Sequence, residues 1–195
     1  MSSQRRNDST APRYDSSAPR YDSTAIALHW IVAGLVFVLY GIGWHMVGIP
    51  KGTPPVAYYY GLHKSLGIVA ALPILLLIWW RVTHAPPPLP GSLAAWEARA
   101  AHASHVLFYV CLVVLVLSGF IESNFTKFGI KFFGHQLPVL GWEDRAIYRF
   151  FNRLHVYTSY FFTALLAVHI VAAFKHLLSD RNGVFQRMLP GFRKA

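Results

Sequence analysis

The sequence predicts an all-α protein, an integral membrane four-helix bundle, on three observations. Of its 195 residues, 54% are hydrophobic and only 13% charged, a balance skewed away from soluble domains. Four stretches stay apolar for about 20 residues, the length of helix that crosses a bilayer core about 30 Å thick. The links between them carry the prolines, glycines and charges that end helices.

In chain order, residues 1–24 are rich in Ser, Asp, Arg and Pro and hold a near-repeat, Ala11-Pro12-Arg13-Tyr14-Asp15-Ser16 followed by Ala18-Pro19-Arg20-Tyr21-Asp22-Ser23. Such a stretch buries too little apolar area to order itself, so it is expected to be a disordered tail. It lacks the basic start, short apolar run and small-residue cleavage site of a removable leader, so the first apolar run is expected to stay in the protein. The predicted spans cover residues 25–46, 61–80, 103–121 and 150–178, within a membrane domain over residues 25–178. Lys51, Gly52, Pro54 and Pro55 break the first link, and Pro86, Pro87, Pro88 and Pro90 the second. The third link, residues 122–149, mixes aromatics with Lys127, Lys131 and Arg145 and is expected to cap the bundle at the membrane surface. Residues 179–195 form a second tail. The single cysteine, Cys111, lies in an apolar run, which excludes an intrachain disulfide and a thiolate cluster and suggests a core position.

The net charge of +10 sits in the tails and links. These cations flank apolar stretches, as membrane anchors do, and form no solvent-facing basic groove, which argues against nucleic acid as a partner and for membrane lipid. Four spans put both termini on one side. The tails and second link hold 11 of the 18 Lys and Arg, and the other face the remaining 7. The positive-inside tendency then places both termini in the cytoplasm of a bacterial inner membrane.

Ten histidines stand out in so apolar a chain, because an unpaired polar group in the bilayer is costly. His29 opens the first span on the side of the termini, and His63 opens the second on the opposite side. On the fourth span, His155 precedes His169 by 14 residues, about 21 Å along the axis and close to four whole turns, so the two share a face at opposite depths. Depth therefore pairs His63 with His155 and His29 with His169. Two imidazoles from different helices make a bis-axial haem iron site with no open position, suited to electron transfer. Without a Cys-x-x-Cys-His motif the haems are non-covalent, two haems b. The competing reading of each histidine is a hydrogen-bonded core residue. Zinc needs three or four ligands at one depth, whereas these sort into two levels.

His102 and His105 open the third span, where they either meet a haem propionate, replace a ligand or line a polar helix entrance. His45 is read as interfacial together with Trp44, and His84 and His135 as loop residues. Gly34, Gly67 and Gly119 would clear room for a porphyrin face or mark close helix packing. Arg81, Lys64 and Arg153, near the span ends, either hold propionates or snorkel to the interface.

The segments Ala27-Leu28-His29-Trp30, His63-Lys64-Ser65-Leu66-Gly67, Ala101-His102-Ala103-Ser104-His105, Leu154-His155 and Val168-His169 to His176 resemble the bacterial cytochrome b-561 family, related to the cytochrome b subunits of hydrogenases and formate dehydrogenases. The similarity runs from about Tyr21 to the C-terminus. It implies a four-helix bundle with two haems b stacked along the membrane normal. A member of the family acts as a superoxide oxidase, taking electrons from superoxide at the outer face and reducing ubiquinone near the cytoplasmic haem, and the resemblance implies the same here. His176 matches a quinone-contacting histidine by position, although Leu177 stands where the family often has a second histidine. The outer bases Lys51, Lys64, Lys127, Lys131, Arg145, Arg149 and Arg153 would steer a small anion or bind anionic head groups. The alternative function is a relay subunit docked to a separate dehydrogenase or hydrogenase as redox partner protein. A third, a histidine-lined metal or proton transporter, is disfavoured by the even split of histidines over two levels.

Overall fold

The structure is a computed structural model that describes residues 19–91 and 93–191. Among them, four helices are long and apolar enough to cross a membrane: α1 (Ser23–Gly48), α2 (Pro54–Thr83), α3 (Ala95–Asn124) and α4 (Arg145–Leu178). A hairpin of β1 (Lys131–Phe132) and β2 (His135–Gln136) lies between α3 and α4, and a short 3-10 helix, Phe185–Met188, follows α4. The chain is an integral membrane helical bundle.

Each helix extends beyond its apolar window because polar residues at its ends supply the terminal turns. Asp22 caps α1 by accepting from the Ala25 N–H at 2.9 Å. Pro54 and Pro55 occupy the first turn of α2, where a missing N–H costs nothing. The Glu97 carboxylate reaches back to the Ala94 N–H ahead of α3, and Asp144 accepts from Ala146 and Ile147 at 2.8 and 3.0 Å ahead of α4. Pro73 sits inside α2, where neighbouring helices make such a break tolerable in a membrane.

The buried centre is small: Val32, Val36, Ala70, Ile74, Cys111, Leu112 and Phe162. Cys111 is core, as its apolar setting suggested. Phe37, Leu72, Leu75, Val110, Phe161, Val168 and Val171 point outward, the inverse of a soluble protein and suited to lipid. Because lipid removes the hydrophobic drive between helices, packing and interhelical hydrogen bonds hold the bundle. One such bond runs from the Tyr40 hydroxyl on α1 to the Ser159 carbonyl on α4, 2.8 Å. Close packing joins α1 to α2, α2 to α3 and α3 to α4.

The third link forms an ordered cap. Its hairpin turns at Phe133 and Gly134, both with positive φ (46° and 92°), the backbone that a two-residue turn between right-twisted strands demands. Ser65, fully buried on α2, anchors it. Its hydroxyl accepts from the Phe133 N–H at 2.8 Å and lies 3.1 Å from the Lys131 carbonyl.

Residues 1–18, with the first copy of the repeat, lie outside the described residues, so most of the expected tail is not described. Residues 19–22, read from composition as part of a disordered tail, and the described part of the second tail both fold back on the bundle. Arg187 is 2% exposed, and its guanidinium donates to the Pro19 carbonyl at 3.0 Å and the Pro87 carbonyl at 2.7 Å. It also stands 5.5 Å from the centre of the Tyr21 ring. Arg20 donates to the Leu189 carbonyl, and the Trp30 indole N–H to the Met188 carbonyl. The described segments next to the two termini thus meet at one end of the bundle.

Candidate functional site

The four histidines singled out by depth fall into two pairs. The ring centres of His63 on α2 and His155 on α4 are 6.3 Å apart. Those of His29 on α1 and His169 on α4 are 6.4 Å apart. A metal–nitrogen bond of about 2 Å, with about 1 Å more to each ring centre, sets two trans imidazoles on one ion about 6 Å apart. Both pairs have that spacing. The helix pairs involved, α1 with α4 and α2 with α4, are not among the closely packed ones. Among the described residues no cluster of three or more His, Cys, Asp or Glu converges as a zinc site requires. The residues present therefore fit a bis-histidine haem at each level.

The tautomer of His155 is legible from its neighbours. Its Nδ1 lies 3.0 Å from the Leu115 carbonyl and 3.2 Å from the Ser118 hydroxyl, both on α3. A carbonyl only accepts, so Nδ1 carries the proton and Nε2 keeps the lone pair that a metal takes. His63 Nδ1 is buried and, among the described residues, lacks a partner of hydrogen-bonding geometry, although the Leu39 carbonyl is near the ring. Gly119 stands against His155: a Cβ there would come within 3.1 and 3.2 Å of its ring. Gly43 stands against His63 at 3.5 Å, whereas Gly34 and Gly67 have nothing within 4 Å.

The level of His29 and His169 holds a third ring. His105 on α3 lies 6.0 Å from His169, centre to centre, while the neighbouring His102 is exposed. Phe108 meets both His169, at 5.3 Å, and Phe162, at 5.2 Å. Phe162 also stacks on Tyr40 at 5.9 Å. Since Phe162 is seven residues from either α4 histidine, these aromatics fill the space between the two levels.

The residues offered as propionate contacts have diverse surroundings. Lys64 Nζ donates to the Gly129 carbonyl at 3.0 Å. Arg81 places its guanidinium 5.8 Å from the Tyr21 ring centre, beside the strap made by Arg187. Arg153 lines a shallow groove on α4 with Ala146, Arg149, Phe150, Leu154 and Tyr157. His176 Nδ1 lies 2.8 Å from an Asp180 carboxylate oxygen and 3.0 Å from the Asn182 amide nitrogen. His45 packs on Tyr59 at 4.5 Å, and His84, the C-cap of α2, stacks flat on Trp80 at 3.8 Å. His135 falls in β2.

Sequence reasoning missed Leu115 and Ser118, which orient His155, and Gly43, which backs His63. A glycine one turn from a helix end gave a faint hint for Gly43; nothing in the sequence pointed to the α3 carbonyl. It also left His105 and His102 undivided, and only the rotation of α3 separates them.

A family model described as prokaryotic cytochrome b561 matches residues 20–191. The chain is similar to cytochrome b561 homolog 2 of Escherichia coli (strain K12), 30% identical over 172 residues, 84% of this chain and 87% of the relative. It is also similar to cytochrome b561 homolog 1 of the same organism, 23% identical over 169 residues, 85% of this chain and 94% of the relative.

Proposed function

The chain belongs to the prokaryotic cytochrome b561 family, membrane cytochromes that bind haem b and transfer electrons, and from that premise we propose that it oxidises superoxide at one face of the bacterial inner membrane and reduces ubiquinone toward the other. Two haems b would be held by His63 with His155 and by His29 with His169. The observation that carries this reading is the near-identical spacing of the two pairs, 6.3 and 6.4 Å, at opposite ends of α4. When bound, the irons supply reversible one-electron chemistry at two depths.

The residues of the chain do the rest. Leu115 and Ser118 hold the His155 ring with its proton turned away from the iron side. Arg149 and Arg153 lie side by side on the groove of α4, and Lys51, Lys127, Lys131 and Arg145 are exposed toward the same end, a field that draws a small anion. Two superoxide ions each give up one electron and leave as dioxygen. One quinone takes both electrons with two protons and leaves as quinol. His176 serves the quinone, with both termini on the cytoplasmic side.

A second reading has its own observation. The cap exposes Phe128, Phe133, Val139, Leu140 and Trp142, an apolar surface that suits docking to a separate dehydrogenase or hydrogenase. An anaerobic reduced-minus-oxidised spectrum of the purified protein, with haem quantified as the pyridine haemochrome, tests both. Two haems b per chain that superoxide reduces and ubiquinone reoxidises support the oxidase. Two haems that superoxide leaves oxidised favour the docked relay, and a protein purified without haem overturns both.

A further inference from the structure

The last turn of α4 and the loop after it build a small polar cluster around His176. Asp180 Oδ2 lies 2.8 Å from His176 Nδ1, and Asn182 Nδ2 lies 3.0 Å from the same nitrogen. The two contacts exclude each other. A carboxylate accepts only, so it needs a proton on Nδ1, whereas the amide NH₂ donates only, so it needs a lone pair there. Asn182 cannot turn its amide over without losing another bond, because its Oδ1 accepts from the Val184 N–H at 3.2 Å. The His176 side chain is 13% exposed, and its Nε2 makes no hydrogen bond to any described residue.

Asp180 is itself held. Lys175 Nζ sits 2.7 Å from Asp180 Oδ2 and 2.8 Å from Glu97 Oε1 on α3. The hydrogen bond from Lys175 keeps the Asp180 carboxyl below its ordinary range despite partial desolvation. The charged groups facing His176 are therefore Asp180 and Lys175 from its own chain end and Glu97 from the neighbouring helix.

We propose that Asp180 makes His176 a proton donor for quinone reduction, as the positioning residue that selects the tautomer with Nδ1 protonated. The proposal rests on the quinone reading above. The doubly protonated ring donates from Nδ1 to Asp180 and presents its Nε2 proton to a quinone oxygen. When that proton leaves, the neutral ring keeps Nδ1–H on Asp180, and water at this end of the bundle restores the proton on Nε2. Two such turns deliver the two protons that accompany the two electrons. Asn182 stabilises the competing tautomer, which turns a lone pair toward the loop.

The test uses full-length protein carrying its haem, reduced and then mixed with a short-chain ubiquinone or with ferricyanide, which takes electrons without protons. Asp180→Ala, which removes the acceptor and leaves only the Asn182 amide NH₂ on Nδ1, is expected to slow reoxidation by quinone about 10-fold or more while ferricyanide reoxidation stays unchanged. ¹⁵N spectra of His176 should move from the Nδ1–H to the Nε2–H tautomer in the same variant. Asn182→Ala, which keeps Asp180, should retain the Nδ1–H tautomer and the quinone rate. Equal slowing with both oxidants, an unchanged tautomer, or a full quinone rate in Asp180→Ala would overturn the relay alone. Reduced wild-type protein that quinone does not reoxidise would overturn the quinone reading and the relay with it.

Discussion

The Leu115 carbonyl on α3 and His155 Nδ1 on α4 lie 3.0 Å apart, so the orientation of one imidazole of the candidate site is set by the backbone of a different helix. Side-chain substitutions on α3 leave that acceptor in place. Rotation or sliding of α3 against α4 does not, which couples the site to helix packing.

Ala in place of His155 or of His169 should each remove one haem and leave the other. The pyridine haemochrome of each variant is expected at half the wild-type value per chain. Loss of both haems from one substitution, or of neither, would refute the pairing by depth.

Glycine positions should separate by what stands beside them. Gly119→Leu fills space only 3.1 Å from the His155 ring and should lose the haem at that level. Gly34→Ala, with nothing within 4 Å, should keep the full haem content and gain helix stability of up to about 1 kcal/mol. Optical spectra and thermal melts of the two variants provide the check, and equal haem content in both would count against Gly119 as a packing contact of the ligand.

How far the sequence carried this site depends on what each residue asks of its helix. Depth follows from counting along an axis, so the pairing of His63 with His155 and His29 with His169 was legible from residue spacing alone. Rotation about the axis is not, because a helix apolar on nearly every side gives no periodic stripe to fix which face turns inward. That is why His105 could not be told from His102, nor the contact of Leu115 with His155 foreseen. The ordered ends were hidden for a different reason: Pro19 to Asp22 look like tail by composition, and the partners that hold them lie far along the chain, Arg187 being 168 residues after Pro19.

Arg187→Ala should free that end. Its guanidinium serves two part-buried carbonyls, and each bond lost costs about 1 kcal/mol. Tryptic cleavage after Arg20, slow in the wild type, is expected to become fast in the variant under native conditions. Arg187→Lys should be intermediate, since a single ammonium lacks the fork that reaches both carbonyls. Cleavage at the wild-type rate in Arg187→Ala would show that other contacts hold the strap.

The start of α4 should respond to acid. Hydrogen bonds from the Ile147 and Ala146 N–H groups hold the Asp144 carboxyl below its ordinary value of 3.8. A lowered folded value means the cap contributes fully above that ordinary value and fades as pH falls through the lower one. Amide exchange at Ala146 and Ile147 should therefore rise under acid in the wild type relative to Asp144→Asn at the same pH, since Asn caps without a charge. Indistinguishable exchange in the two proteins at every pH would remove Asp144 as the acid-sensitive group.

The tie between Pro19 and Arg187 also fixes an order of manufacture. The ribosome makes Pro19 and Pro87 long before it makes Arg187, so their carbonyls wait for a donor while all four spans are delivered to the lipid. The strap therefore closes only after the four spans have been made. The end of the bundle that holds His29 and His169 is thus tied down only after residue 187 has been made, and a chain without Arg187 lacks that tie.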